Sequence, residues 1–122
     1  MYQLFVEEHF DAAHYISRYR GKCENLHGHR FKVIARLEAT ELDDAGLAYD
    51  FADLKRDLRQ VLATYDHTCL NDLPYFEQAE PSCENIAASV YHMLQPRVDA
   101  ARASLVSVEV WESPTTGVAY VA

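Results

Sequence analysis

The chain has 122 residues, 49% of them hydrophobic, which suits one domain spanning residues 1–122 with a real core and argues against disorder. Its net charge of −8, from 11 basic and 19 acidic residues, argues against a nucleic-acid partner, and no apolar run approaches the roughly 20 residues of a membrane span. Cys23, Cys69 and Cys83 are odd in number and form no CxxC pair, a usage that points to the reducing cytoplasm rather than to a disulfide framework. The opening residues MYQLFVEEHF lack the basic-then-apolar pattern of a signal peptide.

In chain order, YQLFVEEHFDAAH alternates, with Tyr2, Leu4, Val6, Glu8 and Phe10 against Gln3, Phe5, Glu7 and His9, and predicts a strand with both faces partly covered. RFKVIARLEAT predicts a second strand, with Phe31, Val33, Ala35 and Leu37 on one face. ELDDAGL makes a turn at Gly46. From Asp50 the period changes. Phe51, Leu54, Leu58, Val61, Leu62 and Tyr65 recur at helical spacing, with Asp50 as the N-cap. DHTCLNDLPYFEQAEP reads as a long connection. A second helix starts near Ser82, with Ile86, Val90, Met93 and Leu94 as its buried stripe and Pro96 ending or kinking it. SLVSVEVWES and GVAYVA are the third and fourth strands. The order ββααββ predicts an α+β fold, a four-stranded antiparallel sheet with two helices on one face. Long strands with open edges predict a homo-oligomer that extends the sheet across subunits.

Chemistry concentrates in CENLHGH. His27 and His29 are two apart, so on an extended backbone both imidazoles face one side. His14 closes the first strand, where an antiparallel partner brings it alongside them. Three histidines are a common ligand set for catalytic Zn2+, with a position left open for water or substrate. The alternative is three histidines in a hydrogen-bonded turn; His14 and Cys23 together tip the balance to the metal. Cys23 itself reads in three ways, as a fourth ligand, a buried small residue, or a nucleophile or base whose neighbours Arg20 and Lys22 favour the thiolate. Asp66 beside His67 can orient an imidazole and raise its basicity, or simply be a polar helix terminus. Glu112, ending a strand, is placed to accept two parallel hydrogen bonds from a planar heterocycle. Six of the eleven basic residues fall between Arg18 and Arg36, opposed in that window only by Glu24, which reads either as a solvated basic strand or as a local attraction for an anionic small molecule.

Taken in order, FDAAH, CENLHGH, YDF, DHTCLND, PSCENIA and VWESPTTG resemble the 6-pyruvoyltetrahydropterin synthase family over nearly the whole chain. The C-x3-HGH spacing is most similar to the bacterial 6-carboxytetrahydropterin synthase branch of queuosine biosynthesis. The resemblance implies the tunnelling fold (T-fold), whose subunits join their sheets into a barrel, two trimers stacking into a hexamer with active sites at subunit interfaces. It implies His14, His27 and His29 as the zinc ligands and Cys23 as the catalytic cysteine. It likewise implies Asp66 and His67 as proton-transfer partners reaching the site from a neighbouring subunit, and Glu112 as the pterin anchor. Ser82 and Cys83 stand where the family has Thr followed by Thr or Ser beside the pterin; Cys83 departs from that pattern.

The implied substrate is 7,8-dihydroneopterin triphosphate, converted to 6-carboxy-5,6,7,8-tetrahydropterin, acetaldehyde and triphosphate by a cytoplasmic lyase. Alternatives are the 6-pyruvoyltetrahydropterin synthase reaction and a zinc-binding module without turnover. A third is a folate-pathway release of 6-hydroxymethyl-dihydropterin, for which the family uses glutamate in an E-x2-HGH spacing. Glu24 has that spacing; it reads either as a solvated charge or partner of Lys22 or Arg20, or as the candidate base of such a second activity.

Overall fold

The computed structural model describes residues 1–19 and 24–122. Strand β1 spans Tyr2–His14 and β2 spans His27–Ala39. They pair antiparallel along their whole lengths, Tyr2 opposite Ala39 and His14 opposite His27. Alternation then sorts the side chains. Phe31, Val33, Ala35 and Leu37 of β2 are fully buried, as the pattern predicts, against Val6, Phe10 and Ala12 of β1.

Helix α1, Phe51–Leu62, starts at Asp50, whose carboxylate accepts the Ala52 N–H at 2.8 Å. Leu54, Leu58, Val61 and Leu62 enter the core, while Phe51 in the first turn stays 55% exposed. Helix α2, Cys83–Leu94, is capped by Ser82, whose Oγ accepts the Asn85 N–H at 3.2 Å. Its buried stripe holds Ile86, Ala87, Val90 and Leu94. Met93, predicted in that stripe, sits at its margin and accepts a hydrogen bond from Tyr65 on its sulfur. The helix stops at Leu94, and Pro96 lies in the single 3-10 turn Gln95–Arg97 that follows. α1 packs on β1, and α2 packs on strands β4, Ser104–Ser113, and β5, Thr116–Val121, closing one core.

The sheet departs from the sequence expectation. A fifth strand among the described residues, β3 (Thr68–Cys69), pairs parallel with β1 at Ala12 and Ala13, so the order is β3-β1-β2-β4-β5 and the sheet is mixed. It hides in the connection DHTCLNDLPYFEQAEP because two residues are too few for alternation to register. The same connection also holds 3-10 turns at Leu70–Asp72 and Pro74–Glu77. The sheet face away from the helices is open. There the Arg36 guanidinium lies 4.8 Å from the Phe5 ring and bonds Glu109 at 3.2 Å, and Lys32 lies 4.9 Å over Trp111. No helix is long and apolar enough to cross a membrane.

Candidate active site

The buried face of β2 runs outward from Leu37 through Phe31 and ends on His29 and His27. The buried face of β1 ends on His14, the register partner of His27. Two strands that pair antiparallel therefore deliver all three imidazoles to one end of the core. One nitrogen from each ring lies within 4.8 Å of the others, and the ring centres are 4.6 to 5.3 Å apart.

The tautomers are set from outside the cluster. His14 Nδ1 donates to the Pro81 carbonyl at 2.8 Å, and His27 Nδ1 donates to the Asn25 carbonyl at 2.7 Å. In the neutral tautomer that these bonds select, Nε2 of each ring is the acceptor. His14 is buried, and among the described residues its Nε2 has no hydrogen-bond partner. An orphaned acceptor of this kind costs about 1–3 kcal/mol. A cation among the rings removes that cost, so the residues present fit a zinc ion. Burial holds the His29 imidazole below its ordinary pKa, opposed by the Glu112 carboxylate, whose Oε2 lies 3.8 Å from Nε2.

Glu112 is on the helix-facing side of β4, two residues beyond the buried Val110. It lines a cavity of about 550 Å³ together with the three histidines, Ser82, Cys83 and Glu24. The Cys83 thiol donates to Glu112 Oε2 at 3.5 Å. Burial, and then the Glu112 charge, push that thiol up to about 12. Seven of the candidate residues thus meet in one space: His14, His27, His29, Glu112, Ser82, Cys83 and Glu24. Cys23 lies outside the described residues, as do Arg20 and Lys22. Arg30, Lys32 and Arg36 alternate onto the opposite face of β2, and among the described lining residues there is no lysine or arginine.

Asp66 and His67 do not line this cavity. They sit at the edge of the sheet, where the Asp66 carboxylate accepts the Asp11 N–H at 2.9 Å and the His67 N–H donates to the Asp11 carbonyl at 2.6 Å. His67 adopts a φ of 58°, a conformation a non-glycine residue takes only when its surroundings impose it. Its Nδ1 stands 2.9 Å from Asp66 Oδ2, and the side chain is 78% exposed. The Asp11 N–H, with His67 beside it, holds the Asp66 carboxyl below the usual carboxylate range. The His67 imidazole is thus exposed beside the Asp66 carboxylate and outside the residues that line the cavity.

Sequence reasoning missed three features. The Pro81 carbonyl carries no side-chain signal. The thiol bond to Glu112 joins two motifs 29 residues apart. The docking of residues 66–69 on β1 depends on a two-residue strand.

The chain is similar to known proteins over nearly its whole length. Residues 3–122 match the family described as 6-pyruvoyl tetrahydropterin synthase. The 6-carboxy-5,6,7,8-tetrahydropterin synthase of Bacillus subtilis is 35% identical, across 98% of this chain and 84% of that protein. The human 6-pyruvoyl tetrahydrobiopterin synthase is 33% identical across 82% of this chain and 70% of its own. The structure of Caenorhabditis elegans 6-pyruvoyl tetrahydropterin synthase superposes with a TM-score of 0.86 at 27% identity, covering 99% of this chain and 95% of that one.

Proposed function

This chain belongs to the 6-pyruvoyl tetrahydropterin synthase family, and we propose that it is a cytoplasmic zinc-dependent lyase of the 6-carboxytetrahydropterin synthase type, acting in queuosine biosynthesis. The reaction takes 7,8-dihydroneopterin triphosphate and water to 6-carboxy-5,6,7,8-tetrahydropterin, acetaldehyde and triphosphate. The observation that carries this reading is the buried Nε2 of His14, without a hydrogen-bond partner among the described residues, in a cluster with two further histidines and in a cavity that also holds a carboxylate, Glu112.

His14, His27 and His29 hold the zinc. Bound there, zinc supplies a Lewis acid that lowers the pKa of a substrate hydroxyl. The Glu112 carboxylate accepts two parallel hydrogen bonds from the pterin ring and so aims the side chain at the histidines. Ser82 and Cys83, at the start of α2, close the cavity beside the ring. Cys23 moves a proton at the substrate side chain. Asp66 orients His67 for a second proton transfer. His67 is exposed and lies outside the lining of its own chain's cavity, which supports its reaching the site of a neighbouring subunit in a hexamer of two trimers, with the open sheet faces and edges closed into a barrel.

Mass spectrometry of the products tests this reading. Zinc-loaded protein incubated with 7,8-dihydroneopterin triphosphate is expected to release the 6-carboxy product and acetaldehyde, and chelated protein neither. A zinc-loaded protein that binds the substrate and leaves it unchanged is a binding module, and the reading fails.

A further inference from the structure

Three consecutive residues leave β1 after His14, and the backbone of each is clasped by a side chain from another segment. The Tyr15 N–H donates to Asn71 Oδ1 at 3.0 Å, and Asn71 Nδ2 donates back to the Tyr15 carbonyl at 2.9 Å. The Ile16 N–H donates to Glu24 Oε1 at 3.0 Å, and the Glu24 N–H donates to the Ile16 carbonyl at 3.0 Å. The Ser17 N–H donates to Glu80 Oε2 at 2.7 Å, and the Ser17 hydroxyl donates to the other Glu80 oxygen. A loop ordinarily satisfies these groups through its own turns or through water. Here charged acceptors take two of the three N–H groups, and such bonds are the stronger kind.

The clasped segment is a wall between two cavities. Ile16 lines the cavity of the three histidines, while Tyr15 and Ser17 line a neighbouring one of about 390 Å³. It is also tied to the histidines themselves. Glu80 precedes Pro81, whose carbonyl orients the His14 ring, and Glu24 lies three residues before His27. Movement of residues 15–17 would shift His14 from both sides.

We propose that Glu24 and Glu80 are positioning residues that hold residues 15–17 as a rigid wall of the active site, fixing the His14 ring and the width of the pterin cavity. The proposal rests on the function proposed above for its kinetic consequence. It gives Glu24 a task other than that of a base. Its Oε1 already accepts a peptide N–H, and the nearest approach to His27 Nδ1, 3.9 Å, is too long for a hydrogen bond.

Glutamine separates the two roles. In Glu24→Gln the side-chain amide oxygen can still accept the Ile16 N–H, but it cannot take a proton from carbon. In the full-length zinc-loaded protein, Glu24→Ala is expected to raise KM about tenfold with a smaller change in kcat, the scale of loss that slight misplacement of a binding group brings. Glu24→Gln is expected to restore most of it. Amide exchange across residues 15–17, measured without substrate, should accelerate in Glu24→Ala and Glu80→Ala and stay near wild type in Glu24→Gln. Glu80→Ala should also release zinc to a chelator faster than wild type. Because exchange needs no turnover, this pattern in a protein that makes no pterin product would sink the functional reading and leave the positioning role standing. Equal inactivity of Glu24→Gln and Glu24→Ala, with wild-type exchange in both, makes Glu24 a base and overturns the proposal. Wild-type exchange and zinc release in Glu80→Ala overturn it for Glu80.

Discussion

Cys83 and Glu112 show how one contact changes what a residue can do. A thiol at the first turn of a helix ordinarily gains thiolate character from the helix dipole. Here burial outweighs that, and the neighbouring carboxylate adds to it, so Cys83 remains a neutral donor to Glu112 at neutral pH. Cys83 is therefore expected to resist a disulfide reagent at pH 8 in the folded protein and to label rapidly in guanidinium, read by peptide mass. Both causes raise the thiol, so removing the second lowers it. Glu112→Gln should speed labelling of the folded protein without bringing it to the unfolded rate. Immediate labelling of the folded wild type would mean that the thiol is not held against Glu112.

The pairing of β4 with β5 depends on a close approach. Gly117 lies opposite Trp111, and a Cβ there would sit 2.5 Å from the indole Cδ2. The Trp111 ring is itself held on its edge, with Nε1 donating to Glu109 Oε1 at 3.0 Å and Lys32 over its face. It cannot step aside without losing those contacts. Gly117→Ala is expected to cost about 1–3 kcal/mol, the usual range for overpacking. Urea unfolding at fixed protein concentration checks it through a lower midpoint. An unchanged midpoint would mean that β5 swings away freely. Because Gly117 also borders the histidine cavity, the same substitution should weaken substrate binding.

At the scale of the whole molecule, the single chain leaves its parts unconsumed. Phe5 is 57% exposed on the open sheet face, the edge strands β3 and β5 each pair on one side only among the described residues, and His67 is exposed outside the lining of its own cavity. These features are explained together by the proposed assembly. Sedimentation is expected to give six times the chain mass of 13.9 kDa. Cys23→Ala and His67→Ala, each inactive alone, should partly complement when subunits exchange, since a mixed oligomer assembles some sites with both groups intact. Background activity in demonstrably mixed oligomers would place both residues in one chain's site.

The amino-acid pattern alone determines the long strands, the two capped helices and the candidate ligand set. These follow from local geometry: alternation at period two, recurrence at 3.6, and the i, i+2 relation that puts His27 and His29 on one face. The tertiary structure decides what depends on register and on contacts distant in sequence. It sets His14 opposite His27, brings the Pro81 carbonyl to His14, joins Cys83 to Glu112, and docks residues 66–69 on β1 as a fifth, parallel strand. It also turns Arg30, Lys32 and Arg36 away from the cavity and places Glu24 against Ile16. A backbone carbonyl and a two-residue strand leave no trace in composition or period, because their partners are chosen only when the sheet closes on its helices.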